Sequence, residues 1–197
     1  ELATHPKVVG IGETGLDYHY ENADIAKQQE SFRAQMRLAD ELYLPVLIHC
    51  RDAVKDEQTR RDMLQILKEF SNVRCILHCF VQDRAYAEAI LEMDHEWKKN
   101  ADQDGHRFLF SFSGILTYPK TDAIRTVVAM LADDQICVET DCPYLPPQTR
   151  RGQRNEPAFM VETARRLAEI RGVSFDEIAA LTTENAAKFL SVKNISV

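Results

Sequence analysis

This 197-residue sequence predicts an α/β fold of the (β/α)8 barrel type, here an incomplete barrel of about five parallel strands plus C-terminal helices. Three observations predict it. Short apolar runs alternate with amphipathic helical stretches in the order β, α, β, α, β, α, β, α, β, with helices after them. The runs are apolar throughout, as in a parallel sheet covered on both faces. Finally, Glu13, His49, His78 and Asp141 each close one of these runs, at intervals of 36, 29 and 63 residues. A barrel of about 250 residues spends roughly 31 residues per strand-helix unit, and its ligand-binding and catalytic groups sit at the C-terminal ends of strands. Two intervals are therefore about one unit and the third about two.

Val8 to Gly12 reads as the first buried strand. Ile25, Phe32, Met36, Ala39 and Tyr43 recur at helical spacing and predict a helix from Asp24 to Tyr43. Pro45 opens the next strand, Val46 to Ile48. Met63, Ile66, Leu67 and Phe70 fall at i, i+3, i+4, i+7 and mark an amphipathic helix, which Asn72 breaks before a strand at 73–78. Tyr86, Ile90 and Met93 share a helical face. Residues 94–107 are polar and charged and read as a surface extension, with Trp97 packed locally. Phe108 to Phe112 supplies the strand inside the 63-residue interval. Ile124, Val127, Val128 and Leu131 mark a helix, and Ile136 to Glu139 a strand. A long loop at 142–157, with four prolines and three arginines, precedes a helix over 157–171 with Met160, Ala164, Leu167 and Ala168 facing inward. Two shorter helices complete the pattern. One is opened by the capping box Ser174 and Glu177; the other begins at Thr183 and ends near Leu190. The whole of 1–197 reads as a single domain.

An open doubly wound sheet shares this element order. Convergence separates the two: in an open sheet, strand ends one to five spread along a line at about 4.8 Å per strand, whereas a curved wall brings them towards one axis.

With 24 basic against 31 acidic residues and a net charge of -7, the chain is a poor non-specific wrapper of nucleic acid, although a local basic patch is compatible with that charge. No apolar run approaches the roughly 18 residues that cross a membrane. Five cysteines (50, 75, 79, 137 and 142) without a C-x-x-C pair read as free thiols of a reducing compartment, so the expected location is cytoplasmic or nuclear.

Two imidazoles and a carboxylate suit zinc, manganese, nickel or iron, and carboxylates favour harder ions. Such a centre polarises a phosphoryl or carbonyl oxygen and makes hydroxide near neutral pH. Glu13 can bridge two ions, and Asp141 can hold one of them and accept the proton of an attacking water. Arg51 and the loop residues Arg151 and Arg154 are candidates to grip phosphate through the guanidinium fork. Tyr144 is a candidate to stack on a base. His5, His19, His95 and His106 lack strand-end placement and read as surface or loop residues.

Six segments in this order resemble the TatD family of metal-dependent deoxyribonucleases: Gly12-Glu13-Thr14-Gly15-Leu16-Asp17-Tyr18, Pro45-Val46-Leu47-Ile48-His49-Cys50-Arg51-Asp52-Ala53, Leu77-His78-Cys79-Phe80, Ser113-Gly114-Ile115-Leu116-Thr117, Glu139-Thr140-Asp141-Cys142-Pro143-Tyr144-Leu145 and Arg154-Asn155-Glu156-Pro157. The resemblance implies a TIM barrel of the amidohydrolase type and a two-metal hydrolytic centre using Zn, Mg or Mn. It also implies phosphodiester cleavage, exonucleolytic on single-stranded DNA. By the same comparison Glu13 bridges the metals, His49 and His78 hold one of them, and Asp141 helps hold the other and carries the proton.

Family members also carry a His-x-His strand, and no two of the six histidines here are two residues apart. The expectation is therefore that the chain corresponds to the C-terminal five-eighths of the barrel, and that alone it binds metal weakly and cleaves DNA poorly. Two alternatives are an amide or aminoacyl-ester hydrolase on the same barrel, and a shortened, non-catalytic partner-binding protein.

Overall fold

The computed structural model describes residues 1–20, 24–53, 56–101 and 105–192. The chain divides into two compact units: Glu1–His78 with Ala89–Phe108, and Cys79–Glu88 with the chain from Leu109 onward. Among the described residues five strands alternate with helices, and the pairings within each unit are parallel.

In the first unit, strand β1 (Ile11–Asp17) pairs with β2 (Val46–Arg51), which pairs with β3 (Cys75–Leu77). The register sets Gly15 opposite His49 and Asp17 opposite Arg51, with an irregularity between Ile11 and Thr14. The observed strand thus starts later and runs further than the apolar run at 8–12 suggests. Val9 is exposed, and the backbone pairing of Thr14 to Asp17 with β2, not apolarity, makes that stretch a strand.

Helix α1 (Ile25–Leu42) starts where the Asp24 side chain accepts the N–H groups of Ala26 and Lys27, and it buries Phe32, Met36 and Ala39. An acceptor at this position satisfies donors that lack an intrahelical partner. Tyr43 ends the helix in the left-handed region (φ 54°), its N–H on the carbonyls of Ala39 and Asp40. It is 95% exposed, not part of the inner face that its spacing predicts. Helix α2 (Gln58–Glu69) buries Met63, Ile66 and Leu67, as its periodicity requires.

The polar stretch after Met93 is only partly surface. Helix α3 (Arg84–Ala101) runs into it and Trp97 is buried, while residues 102–104 of the expected extension lie outside the described residues. Asp94 and Arg107 are also buried, because each satisfies backbone groups. Asp94 accepts the N–H of Arg107 at 2.7 Å and of Phe108 at 3.3 Å, and Nδ1 of His106 donates to it at 2.6 Å. Lys98 Nζ lies 3.0 Å from the other nitrogen of His106, so that histidine belongs to a packed polar cluster and not to a free loop. The Arg107 guanidinium donates to the carbonyls of Leu67 (2.7 Å), Phe70 (2.8 Å) and Val73 (3.0 Å), which closes the C-terminal end of α2. Burial pushes its pKa below the usual guanidinium range.

In the second unit, β4 (Phe108–Phe112), which enters from the first unit at Phe108, is buried along its whole length and pairs with β5 (Ile136–Val138) through Phe110 opposite Ile136. Phe80 packs edge-on against Phe110 with ring centroids 5.0 Å apart, a geometry that aromatic quadrupoles favour. Helices α4 (Asp122–Met130), α5 (Met160–Arg171) and α6 (Phe175–Phe189) contribute Val127, Val128, Leu167 and Ile178 to the core. Met160 is 38% exposed and not inward-facing.

Helix α6 opens with the reciprocal Ser174–Glu177 cap and continues unbroken through Thr183, where a second helix was expected. Thr182 returns its hydroxyl to the Ile178 carbonyl at 2.8 Å, and Asn185 donates to the carbonyls of Asp133 (2.7 Å) and Ile136 (2.8 Å), tying the helix to the start of β5. No disulfide joins the cysteines among the described residues. Burial pushes the Cys75 and Cys137 thiols up to about 12, so neither is a ready thiolate.

Replacing Arg107 with Met keeps much of the volume but strands three carbonyls. Each buried unsatisfied group costs about 1–3 kcal/mol, so Arg107→Met should lower stability by roughly 2–4 kcal/mol in urea unfolding.

Candidate metal centre

Three of the residues selected by the strand-end pattern meet in the first unit. Glu13 lies in β1, His49 in β2, and His78 follows β3 with its N–H on the Ile48 carbonyl at 3.0 Å. One carboxylate oxygen, Glu13 Oε1, lies 2.9 Å from Nδ1 of His49 and 3.6 Å from Nε2 of His78. The side chains are 45%, 31% and 12% exposed respectively, so the group is open at Glu13 and closed at His78.

Gly15 makes this approach possible. It stands opposite His49, and a Cβ there would lie 1.9 Å from the His49 carbonyl oxygen; its φ of +154° also disfavours any L side chain. Bare backbone at Gly15 lets β1 lie close to β2, and carboxylates on either side of it reach the same imidazole. One is Glu13. The other is Asp17, whose Oδ2 is 3.0 Å from Nε2 of His49. Spacing of strand ends does not single out Asp17, because its link to His49 is a cross-strand contact; the i, i+4 pair of acids around a glycine is the signal that could have found it.

Behind Asp17, Tyr18 donates its hydroxyl to Asp62 at 3.0 Å, and Gln29 donates to both partners at 3.0 Å. Burial raises the Tyr18 phenol to about 12. Arg51, the first phosphate candidate, is exposed and lies over the Tyr20 ring at 4.8 Å, with Nη1 3.3 Å from the Tyr20 hydroxyl. The guanidinium edge is thereby supported by an aromatic face.

The remaining candidates belong to the second unit. Asp141, half-buried just beyond β5, accepts the Tyr144 N–H on its backbone carbonyl at 2.7 Å. Two residues earlier, Glu139 accepts the N–H of Cys79 on Oε1 at 2.6 Å, a charge-assisted bond to the residue that follows His78 in sequence. Tyr144 is 69% exposed and so does not pack beneath the loop. Arg151 lies over the Tyr118 ring at 4.5 Å, and Arg154 is exposed. The loop is held by buried Asn155, whose N–H bonds the Pro143 carbonyl at 3.0 Å and whose side chain donates to the Tyr144 carbonyl at 2.6 Å.

Among the described residues, no three His, Cys, Asp or Glu side chains stand in a finished metal-holding arrangement; Glu13 hydrogen-bonds His49 directly instead. The donor types nevertheless fit a divalent ion. One carboxylate oxygen facing two imidazole nitrogens is a set that binds zinc-like metals at about 2.0–2.2 Å. Tetrahedral ligands at that radius stand about 3.3–3.6 Å from one another; the His78 contact at 3.6 Å matches this, and the 2.9 Å His49 contact needs only a small opening.

A family model described as TatD related DNase matches residues 1–191. Uncharacterized metal-dependent hydrolase YabD of Bacillus subtilis is 39% identical over 194 residues, which are 98% of this chain and 69% of that protein. The Erwinia amylovora protein named 3'-5' ssDNA/RNA exonuclease TatD is 34% identical over 192 residues, 94% of this chain and 67% of the relative. The crystal structure of YJJV, a TatD homolog from Escherichia coli K12, superposes with a TM-score of 0.80 at 28% identity, covering 95% of this chain and 65% of that one. The chain thus spans about two thirds of the length of the relatives it matches.

Gly15→Ala is expected to force β1 away from β2 and to lower stability by more than about 2 kcal/mol, since both the space and the backbone conformation forbid a methyl group. Urea unfolding checks it, and a change within about 0.5 kcal/mol would show slack in the strand pairing.

Proposed function

The chain belongs to the family of TatD-related DNases, and from that premise we propose that it takes part in metal-dependent hydrolysis of phosphodiester bonds, releasing nucleotides from an end of single-stranded DNA. The observation that carries this reading is the convergence of Glu13 Oε1 on Nδ1 of His49 and Nε2 of His78. The name of the Erwinia relative, an exonuclease of single-stranded DNA and RNA, supports the substrate class. Cysteines without a disulfide among the described residues suit a reducing compartment such as the cytoplasm.

In this reading two divalent ions, when bound, supply Lewis acidity and a hydroxide near neutral pH. Glu13, His49 and His78 would hold one of them, and Asp141 would help hold the other. Asp141 takes up the proton of the attacking water, since a half-buried carboxylate just beyond β5 has the lone pair for it. Arg51, braced on Tyr20, presents its fork to the phosphate. Arg151 and Arg154 hold further phosphates of the strand, and exposed Tyr144 stacks on a base. Because the overall charge is -7, these few cations carry the attraction to the backbone, and binding should weaken steeply with salt.

The test is nucleotide release from end-labelled single-stranded DNA in zinc, magnesium or manganese. Glu13→Ala and Asp141→Ala should each reduce turnover at least about a hundredfold, the range of catalytic acid-base groups, and a chelator should abolish it. Turnover by both variants within about tenfold of the parent chain would overturn the assignment.

A further inference from the structure

The carboxylate of Asp17 is fixed from two directions. Oδ1 accepts the backbone N–H of His19 at 2.9 Å, while Oδ2 lies 3.0 Å from Nε2 of His49. The backbone beneath it is held as well: the Gln28 amide accepts the Asp17 N–H and donates to the Asp17 carbonyl, both at 2.9 Å. An ionised carboxylate offers acceptors at both corners and no donor. Nδ1 meets Glu13 Oε1 at 2.9 Å, so in the metal-free ring each nitrogen faces a carboxylate. Once Glu13 turns to an ion on that side, the Asp17 corner is the acceptor left for the ring proton on Nε2, and Nδ1 is the nitrogen that faces the ion.

We propose that Asp17 is a positioning residue that fixes the orientation and tautomer of His49, so that Nδ1 and not Nε2 serves the metal centre. The proposal rests on the reading of Glu13, His49 and His78 as metal-holding residues. A carboxylate behind a metal-bound imidazole orients the ring and raises its basicity, and losing such a partner costs about tenfold to a hundredfold in metal affinity.

Two substitutions separate this role from simple packing. Asn has the shape of Asp, but its two corners differ. The His19 N–H needs an oxygen, so in Asp17→Asn the amide nitrogen turns towards His49 and donates to Nε2. The ring proton is then driven to Nδ1, where it blocks the metal. Asp17→Ala leaves room for water, which can accept from Nε2–H. The expected order of zinc affinity, read by competition with a chromophoric chelator, is parent chain, then Asp17→Ala, then Asp17→Asn, with the last about tenfold to a hundredfold weaker than the parent. A packing role predicts the reverse order of the variants, because Asn preserves shape and Ala leaves a gap.

Long-range nitrogen–proton NMR of His49 in metal-free Asp17→Asn should find the neutral ring protonated on Nδ1. An Asn variant that binds zinc as tightly as the parent or more tightly than the Ala variant, or a ring protonated on Nε2 in Asp17→Asn, would overturn the proposal. No nucleic acid enters these measurements. A chain that fails to cleave DNA would count against the nuclease reading and leave the role of Asp17 to be decided by its own results.

Discussion

The close approach of β1 to β2 at Gly15 is the constraint on which the candidate centre depends. A methyl group there would sit 1.9 Å from the His49 carbonyl oxygen. With the backbone bare, the two strands pair as far as Asp17 and Arg51, and acids on both sides of the glycine reach one imidazole. Neither acid has another strand between it and His49. The ring thus stands between two carboxylates, each within 3.0 Å of one of its nitrogens and each carried by β1. Precision of this kind follows from register: moving the pairing by one residue would turn every side chain to the opposite face.

A second regularity is that buried polar side chains in both units serve the backbone. Arg107 covers three carbonyls at the end of α2, Asp94 accepts two N–H groups at the start of β4, and Asn185 donates to two carbonyls beside β5. Each stands where a helix ends or a strand begins, and there main-chain groups lack regular partners. Burying such side chains without those bonds would cost several kcal/mol apiece; with them, they fix where the elements begin and end.

How far the sequence foretold this follows from which interactions leave a periodic trace. Helix α2 was legible because Met63, Ile66 and Leu67 repeat at the helical interval and are buried for that reason. Glu13, His49 and His78 were legible because each closes an apolar run, and the strands bring them together. The first strand was misplaced because Thr14 to Asp17 owes its conformation to hydrogen bonds with β2, which no local pattern records. Residues 94–107 read as surface because charge ordinarily accompanies solvent, whereas Asp94 and Arg107 are buried against backbone. Thr183 looks like a helix start because threonine favours the N-cap, yet α6 runs through it, its Thr182 hydroxyl turned back to the Ile178 carbonyl. Asp17 escaped notice for the same reason as the strand: cross-strand contacts are not intervals along the chain.

Asn155 closes the proline-rich loop at its base, holding Pro143 and Tyr144 at one end from its own place at the other. The segment between is then a ring already shut. Lengthening a closed ring is inexpensive in entropy, about 0.6 kcal/mol for each doubling. The tip around Gly152, flanked by Arg151 and Arg154, can therefore gain or lose residues and charge while the chain next to Asp141 stays where it is. Evolution has room at that tip to retune what is gripped without rebuilding the residues that would do the hydrolysis.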